Sequence, residues 1–286
     1  MGQYVQVEDK VKIYVEDIGE GVPVIFLHGW PANHLMFEYQ YTLLASHGYR
    51  CIGIDIRGFG KSDAPWESYS YDRMADDLRT IIDELRLEHA ALVGFSMGGA
   101  IASRYMARHQ GYGIKRLLLA GAATPVFTRR PGIEYGMDPD EVTSQLINAT
   151  YENRPAMLNK FGLKFTKTKS NPGMLVWLES LCYQASHHGT IKAAASLRDE
   201  DLRNDLASIN IPTVVFHGQK DKIVEPELGE LTAQSIANAR LVKFEDSGHA
   251  MLFDEPEKFN QELLTFLDGM SSEYVQLKTI ESPRSL

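Results

Sequence analysis

The chain has 286 residues, of which 44% are hydrophobic, and its 29 Lys and Arg residues against 38 Asp and Glu residues leave a net charge of −9. A chain of this size and composition can bury a full core, either as two domains or as one large α/β domain that carries an insertion. The negative charge, without any Lys/Arg-rich block, excludes nucleic acid as an expected partner, and two distant cysteines, Cys51 and Cys182, indicate neither a disulfide framework nor a zinc site.

The N-terminal part of the chain indicates strands rather than a targeting segment. It has neither the apolar region of a signal peptide nor an apolar span of membrane length, so we expect a cytoplasmic protein with no membrane contact. Apolar residues at 11, 13 and 15 alternate with Lys12, Tyr14 and Glu16 ahead of a Gly-Glu-Gly turn at 19–21. This alternation predicts antiparallel edge strands joined by that turn.

Six short apolar runs then alternate with helical patterns. Between the second and third runs, Met74, Leu78, Ile81, Ile82 and Leu85 form one apolar helix stripe, which predicts a βαβ crossover. Runs of this kind are typical of parallel strands buried on both faces. The sheet is therefore predicted to be mixed and mostly parallel, with buried strands at 24–27, 51–54, 91–93, 117–119, 214–216 and 241–244.

The rhythm of strands breaks between residues 125 and 206, where helical patterns dominate. We predict an inserted helical cap at 125–206, a core made of 1–124 and 207–270, and a partly disordered C-terminal tail at 271–286. Lys160, Lys164 and Lys167 share one helix face in the cap, which indicates a solvated surface, with the steering of anionic substrates as the alternative. Some of the large apolar side chains of the cap are expected to line a substrate pocket and others to pack in the core: Met137, Met157, Phe161, Phe165, Met174, Trp177 and Tyr183.

A glycine-rich turn follows the predicted strand at 91–93. Residues 94–98 read Gly-Phe-Ser-Met-Gly, which is G-x-S-x-G in the strand–turn–helix context that gives this motif its meaning. The turn is so tight that the residues two before and two after Ser96 must be nearly free of side chain, as Gly94 and Gly98 are. Ser96 would then stand at a helix N-terminus, where the helix dipole favours developing negative charge. The alternative is a structural turn with an incidental serine, so Ser96 needs partner residues before it can be assigned as a nucleophile.

A base and a carboxylate occur where such a serine requires them. A serine hydroxyl is a weak nucleophile and needs a histidine that a carboxylate holds in the right tautomer, in the chain order serine, acid, histidine. Asp221 follows the strand at 214–216 and His249 follows the strand at 241–244, so both loops should open on the sheet edge that carries Ser96. Glu225 and Asp246 are less well placed as acids. We predict that Asp221 orients His249 and that His249 takes the Ser96 proton.

The tetrahedral intermediate also needs N–H donors for its oxyanion, and the loss of one donor typically lowers the rate by about 100- to 1000-fold. One donor is predicted to be the backbone N–H of Met97, which follows the nucleophile. The second is predicted to be the backbone N–H of Trp30, in the loop after the strand at 24–27, although a plain core aromatic is the alternative for this residue. His28 is expected to hold the loop by hydrogen bonds rather than to act as a base.

Taken together, these motifs resemble those of the α/β-hydrolase superfamily. They are His28-Gly29-Trp30-Pro31, Asp55-x-Arg57-Gly58-Phe59-Gly60-x-Ser62, Gly94-Phe95-Ser96-Met97-Gly98-Gly99, His217-Gly218-x-x-Asp221 and Ser247-Gly248-His249. The resemblance implies an α/β-hydrolase fold, in which a mostly parallel twisted sheet is flanked by helices and carries an inserted helical cap. Within the superfamily, the first and third motifs are similar to those of the cofactor-free haloperoxidase, esterase and perhydrolase branch.

That branch implies hydrolysis of short-chain or aryl carboxylic esters through an acyl-enzyme on Ser96, with neither a cofactor nor a metal. Pro31 resembles the proline found where peroxide competes with water, which implies side perhydrolysis. Asp55 and Arg57 are expected to organise a loop and have no catalytic role. The expected partner is a small-molecule ester, and the sequence allows a homo-oligomer without determining one.

Two other functions remain open at this stage. The same Ser-His-Asp triad could serve a carbon–carbon bond hydrolase or lyase, and ester turnover without dione turnover would separate that reading from an esterase. A ligand-sensing signalling protein of the same fold would turn over slowly and communicate through its cap.

Overall fold

Eight strands form one sheet in the part of the chain that the computed structural model describes, residues 1–166 and 172–270. They are β1 (Gln3–Glu8), β2 (Val11–Ile18), β3 (Val22–Leu27), β4 (Tyr49–Ile54), β5 (Ala90–Phe95), β6 (Ile114–Ala120), β7 (Thr213–Gly218) and β8 (Ala239–Phe244). Their order across the sheet is β1-β2-β4-β3-β5-β6-β7-β8. Every residue of β3, β5 and β7 is buried, as expected for parallel strands with both faces covered. The predicted mixed, mostly parallel sheet is confirmed.

The antiparallel edge differs from the prediction in its connection. β1 pairs with β2, and β2 pairs with β4, both antiparallel, whereas all other neighbours are parallel. The hairpin turn of the edge pair therefore lies at Asp9 and Lys10, and the prediction that the turn at 19–21 joins antiparallel neighbours is wrong. The chain leaves β2 through Gly19 and Gly21, both with positive φ, and enters β3, which lies beyond β4. A glycine turn reports a local reversal of the chain, but the choice of neighbour depends on long-range pairing.

Helices cover both faces of the sheet. The apolar stripe at 74–85 forms α2 (Tyr71–Glu84), which packs beside α3 (Met97–Arg108) on one face. On the other face, α1 (Glu38–Ser46) contacts a C-terminal helix at Pro256–Leu267, whose Phe259, Leu263 and Leu267 are buried. Two apolar layers result, one on each side of the sheet.

Helices dominate the described part of the segment between β6 and β7 from Pro139 onward, whereas residues 121–138 form turns and isolated bridges. The segment contains α4 (Pro139–Val142), a π-helical stretch (Thr143–Asn148), α5 (Ala149–Gly162), α6 (Pro172–Tyr183), α7 (His187–Asp199) and α8 (Arg203–Ala207). After β7 the chain adds α9 (Pro226–Ser235), α10 (Met251–Asp254) and α11 (Pro256–Leu267). Helix α5 ends at Gly162, so Lys164 lies in the following turn rather than on the helix, while Lys167 and the predicted tail at 271–286 fall outside the described residues.

The strand order creates a crevice at one edge of the sheet. After β3 the chain passes through α1, on one face of the sheet, to β4. After β5 it passes through α3, on the opposite face, to β6, which lies in the other direction along the sheet. Loops at the carboxyl ends of β3 and β5 therefore diverge, and such a switch point is where open α/β sheets bind ligands. Among the described residues, no helix is long and apolar enough to span a membrane.

Candidate active site

Ser96 occupies the sharp turn between β5 and α3. Its φ of 53° and ψ of −118° are a strained conformation for a residue with a side chain. A methyl group at Gly98 would lie 2.2 Å from the carbonyl oxygen of Leu27, and one at Gly94 would lie 2.6 Å from that of Gly98. The strain is held by backbone hydrogen bonds, because Ser96 donates to the carbonyl of Ala120 at 3.0 Å and accepts from Ala123 at 3.0 Å. This is the tight turn that the G-x-S-x-G motif predicts.

Asp221 and His249 lie in the loops after the neighbouring strands β7 and β8 and contact each other directly. Nδ1 of His249 donates to Oδ2 of Asp221 at 2.7 Å, and both side chains are buried. The other carboxylate oxygen, Oδ1, accepts the backbone N–H groups of Ile223 at 2.8 Å and Val224 at 3.0 Å. Because the carboxylate only accepts, it holds the proton on Nδ1 and leaves the lone pair of Nε2 available to take a proton.

The ring of His249 packs against the turn that carries Ser96. Its centroid lies 4.9 Å from that of Phe95, the residue that precedes Ser96, and 5.7 Å from that of Phe165. The carbonyl of Phe165 accepts the N–H of Ala250 at 2.9 Å, which ties the insertion to the loop of the base. The structure thus brings Ser96, His249 and Asp221 into one small region at the carboxyl edge of the sheet.

The two rival acids point elsewhere. Glu225 accepts the backbone N–H of Gly136 at 3.0 Å, and the exposed Asp246 pairs with Lys220 at 2.6 Å.

The loop after β3 approaches the same turn from the other side. A methyl group at Gly29 would lie 3.1 Å from Cβ of Ser96 and 2.8 Å from Cδ1 of Phe95, so only a glycine allows this approach. Trp30 follows Gly29, and Met97 follows Ser96. The two predicted oxyanion donors, the N–H groups of Trp30 and Met97, therefore belong to residues that directly follow the closely packed Gly29 and Ser96.

Hydrogen bonds of His28 and Trp30 hold this loop in place. The Nδ1–H of His28 donates to the carbonyl of Gly29 at 2.9 Å, while Nε2 accepts the backbone N–H of Ile56 at 3.0 Å. Burial lowers the pKa of His28 to about 4, so the ring is neutral and acts as a brace, as expected from the sequence. The indole N–H of Trp30 donates to the carbonyl of Thr190 in α7 at 2.9 Å. The side chain of Trp30 thus anchors the loop to the insertion.

Asp55 and Arg57 support the neighbouring loop rather than the reacting space. Asp55 accepts the backbone N–H groups of His34 at 2.9 Å and Lys61 at 2.8 Å, and its hydrogen bond with the His34 ring helps to lower its pKa against the effect of burial. Arg57 is fully buried and forms a bidentate pair with Asp77 at 2.6 and 2.7 Å. Both therefore organise a loop, as predicted.

His217 is a buried neighbour of Asp221 to which the sequence motifs assign no role. It is fully buried, and its Nε2 donates to the carbonyl of Val224 at 2.9 Å and lies 3.5 Å from Oδ2 of Asp221. Burial lowers the pKa of His217, which keeps the ring neutral. A signal in the sequence for this contact is the position of His217, four residues before Asp221 and near the end of a strand that is buried on both faces.

A largely apolar pocket lies beside the loop of Trp30 and is bordered by Phe165, whose ring contacts that of His249, while Ser96, Asp221 and His249 are not part of its wall. Its space of about 710 Å³ includes the solvent at its mouth. The main members of the wall are Trp30, Pro31, Met36, Phe161, Phe165 and Leu178, and Leu158, Leu163, Leu175 and Cys182 complete it. Burial raises the pKa of the Cys182 thiol to about 12, so this cysteine is a neutral part of the wall.

The large apolar side chains that the sequence offered as pocket residues divide between two places. Phe161 and Phe165 face the pocket, whereas Trp177 packs against Tyr39 and Phe253, with ring centroids 6.2 and 6.0 Å apart. Tyr183 is exposed over nearly half of its surface.

Comparisons with known proteins agree with this geometry. The family model for the alpha/beta hydrolase fold matches residues 22–256. The chain is 47% identical over 266 residues to the AB hydrolase superfamily protein YisY of Bacillus subtilis, an alignment that covers 93% of this chain and 99% of the relative. It is 35% identical to a non-heme chloroperoxidase of Kitasatospora aureofaciens, over 91% of this chain and 97% of the relative.

Among solved structures, an esterase from Exiguobacterium antarcticum superposes with a TM-score of 0.92 at 48% identity and covers 94% of this chain and 100% of its own. The chain therefore belongs to the α/β-hydrolase family, in its branch of non-heme haloperoxidases and esterases.

Proposed function

We propose that the protein is a serine carboxylesterase that hydrolyses short-chain or aryl carboxylic esters through an acyl-enzyme on Ser96. The observation that carries this proposal is the 2.7 Å hydrogen bond between the buried His249 and Asp221, directly beside the strained turn of Ser96. A histidine fixed as a base next to a serine at the carboxyl edge of the sheet is the arrangement that activates a hydroxyl for acyl transfer. The resemblance to an esterase and a chloroperoxidase supports the same chemistry.

In the first half of the reaction, Nε2 of His249 takes the proton of the Ser96 hydroxyl while Oγ forms a bond to the ester carbonyl carbon. The carbonyl oxygen becomes an oxyanion, which we assign to the backbone N–H groups of Trp30 and Met97. The C–O bond to the alcohol then breaks, and His249 gives its proton to the leaving alcohol. Asp221 stabilises the imidazolium that exists between these two proton transfers.

In the second half, a water molecule gives a proton to His249 and attacks the acyl carbon, and the acid leaves as Ser96 regains its proton. Hydrogen peroxide can take the place of water, in which case the acyl group leaves as a peracid. We propose this perhydrolysis as a side activity because Pro31 lines the pocket beside the predicted oxyanion loop. The peracid would oxidise halide without a bound cofactor.

We further propose that residues 125–206 act as the cap over this site, with 1–124 and 207–270 as the core. The assignment rests on the origin of the pocket wall, since Phe161, Phe165 and Leu178 come from the insertion and Trp30 and Pro31 from the core. Both cysteines are unpaired, which fits a reducing compartment, and we assign the enzyme to the cytoplasm.

The test is hydrolysis of 4-nitrophenyl esters from acetate to palmitate by the wild type and by Ser96→Ala. We expect turnover of the short esters by the wild type and its loss in Ser96→Ala, while Ser46→Ala, a matched change at the end of α1, stays active. A folded wild type that hydrolyses none of the esters, or an Ser96→Ala variant that keeps the wild-type rate, would refute the proposal.

A further inference from the structure

A second, smaller pocket lies between α5 and the π-helical stretch at Thr143–Asn148. Its space of about 330 Å³ includes the solvent at its mouth, and we call it the lysine pocket. Its wall is formed by Met137, Gln145, Leu146, Met157, Lys160 and Lys164. The residues of this wall come from the loop before α4, from the π-helical stretch, from α5 and from the turn after α5. The pocket therefore belongs mainly to the insertion.

The lysine pocket adjoins the candidate active site on two sides. Phe161 lines both the lysine pocket and the larger pocket, so its ring lies between them. The same ring meets that of Trp30 edge to face, with centroids 5.2 Å apart. On the other side the wall includes Ile223, whose backbone N–H donates to Oδ1 of Asp221 at 2.8 Å. The lysine pocket thus shares one wall residue with the larger pocket and another with the loop that carries Asp221.

The chemistry of the wall is divided between an apolar floor and a basic rim. Leu146, Met157 and Ile223 are buried and form the floor. Lys160 is exposed and Lys164 half-buried, so both ammonium groups can reach solvent at the rim while their methylene chains cover apolar surface. Such a combination suits a short aliphatic chain that ends in a carboxylate.

The positive rim stands out because the whole chain carries a net charge of −9. Glu225, on the same loop as Ile223, is a nearby negative group whose carboxylate accepts the backbone N–H of Gly136, next to Met137 of the wall, at 3.0 Å. The two ammonium groups of the rim attract an anionic substrate.

The backbone around the lysine pocket is irregular. Gln145 and Leu146 lie in the π-helical stretch, and short π-helical turns occur frequently at functional sites. Helix α5 is interrupted at Asn153, with φ of −156° and ψ of 79°, and it carries Pro155. These interruptions redirect the second half of α5, which bears Met157 and Lys160. The wall is thus built from helix segments that depart from regular geometry on both sides of the pocket.

We propose that the lysine pocket binds a carboxylate of the substrate, so that the preferred substrates are esters that carry a free carboxylate a short apolar distance from the scissile bond. This inference rests on the proposed esterase function and names its substrate class. The carboxylate can sit on the acyl side, as in half-esters of dicarboxylic acids, or on the alcohol side. Lys160 and Lys164 act on binding and orientation, and neither takes part in bond making.

The experiment compares two pairs of esters, in each of which one ester carries a free carboxylate and its neutral partner does not. On the acyl side, mono-4-nitrophenyl adipate is compared with 4-nitrophenyl hexanoate, and on the alcohol side 4-(butyryloxy)benzoate is compared with its methyl ester. The quantity of interest is the ratio of kcat/KM for the anionic ester to that for the neutral ester. It is measured for the wild type, Lys160→Gln, Lys164→Gln and the double variant. Lys115→Gln, an exposed lysine at the start of β6, controls for the change in net charge.

We expect the ratio for one of the two pairs to fall about 3- to 10-fold in the double variant, a size typical of partly exposed ion pairs. The neutral ester of that pair and the Lys115→Gln control should be unchanged. The double variant Lys160→Arg/Lys164→Arg should keep the wild-type ratio, because it retains both positive charges and the proposed effect depends on charge rather than on side-chain shape. A rise in salt from 0.05 to 0.5 M should lower the wild-type ratio through screening.

The outcomes separate this inference from the proposed function. If the wild type hydrolyses the neutral esters and the ratios of both pairs are the same in the double variant, the inference is wrong and the esterase proposal stands. If the wild type hydrolyses none of the four esters, the esterase proposal fails and the inference fails with it. A fall in one ratio supports the inference and shows on which side of the ester the carboxylate lies.

Discussion

The substitution Asp221→Asn tests the candidate triad most sharply, because the surroundings of Asp221 dictate how an asparagine must sit. Oδ1 accepts the backbone N–H groups of Ile223 and Val224, whereas Oδ2 faces Nδ1 of His249. An asparagine that keeps its oxygen on the two N–H groups must turn its NH₂ group towards Nδ1. Nδ1 then has to accept a hydrogen bond, and the proton moves to Nε2.

In that tautomer His249 has no lone pair for the proton of Ser96. We expect kcat/KM to fall by about 10⁴-fold, the loss that a wrong tautomer causes in such triads, which corresponds to about 5 kcal/mol of transition-state stabilisation. The fold should survive because the two side chains have the same shape.

The assay is steady-state hydrolysis of 4-nitrophenyl butyrate, with thermal melting followed by circular dichroism as the check on folding. Asp246→Asn is the matched control, since Asp246 lies in the loop of the base but pairs with Lys220 at the surface, and it should keep the wild-type rate. A folded Asp221→Asn variant that loses less than about tenfold, or about 1.4 kcal/mol, would refute the assignment of Asp221 as the residue that fixes the tautomer.

Three further predictions concern the supports of the site. Arg57→Met removes the bidentate partner of the buried Asp77 and leaves it with Arg73 alone, at 3.0 Å. The free energy of unfolding should fall by about 3 kcal/mol while kcat at 20 °C stays near the wild-type value. A stable variant that has lost its activity would contradict the structural role of Arg57. Trp30→Phe removes the hydrogen bond to Thr190 and should cost about 1 kcal/mol in urea unfolding together with a lower kcat, and an unchanged kcat would show that the indole anchor does not hold the oxyanion loop. Burial lowers the pKa of His28 from 6.5 to about 4, so between these pH values the unfolded chain binds a proton at His28 and the folded chain does not. The free energy of unfolding should therefore be at its full value above pH 6.5 and should decrease as the pH falls towards 4, by up to about 3 kcal/mol. A His28→Gln variant with the same pH dependence as the wild type would assign that loss to other groups.

Much of the fold could be predicted because its signals are local. The apolar runs at 24–27, 51–54, 91–93, 117–119, 214–216 and 241–244 all lie within observed strands, since a strand buried on both faces must be apolar throughout. The prediction of two buried faces is wrong for β8, which lies at the sheet edge and exposes Lys243. The stripe at Met74, Leu78, Ile81 and Ile82 is buried in α2 because a helix repeats its face every 3.6 residues. The connection of the edge strands could not be predicted, because β2 prefers β4 to β3 for reasons of long-range pairing.

The candidate site was predictable where one residue type is chemically required at one place. Ser96 had to be flanked by glycines, and Asp221 and His249 had to follow neighbouring strands. The roles of side chains that act across the fold were harder to foresee. Trp30 was assigned for its backbone, but its indole also reaches Thr190, which is 160 residues away in the chain. His217 belongs to the His217-Gly218-x-x-Asp221 motif, but only the structure shows that its Nε2 lies 3.5 Å from Oδ2 of Asp221.

The sequence by itself determined the elements, the strained turn of Ser96 and the strand ends from which Asp221 and His249 project, because these depend on periodicity and on the steric needs of a few neighbouring residues. Only the tertiary structure decided which aromatic residues of the insertion face the candidate site, how Phe161 divides the two pockets, and that Lys160 and Lys164 border the smaller one. A helical pattern shows that one face is apolar, but what that face meets depends on the packing of segments that are distant in the chain.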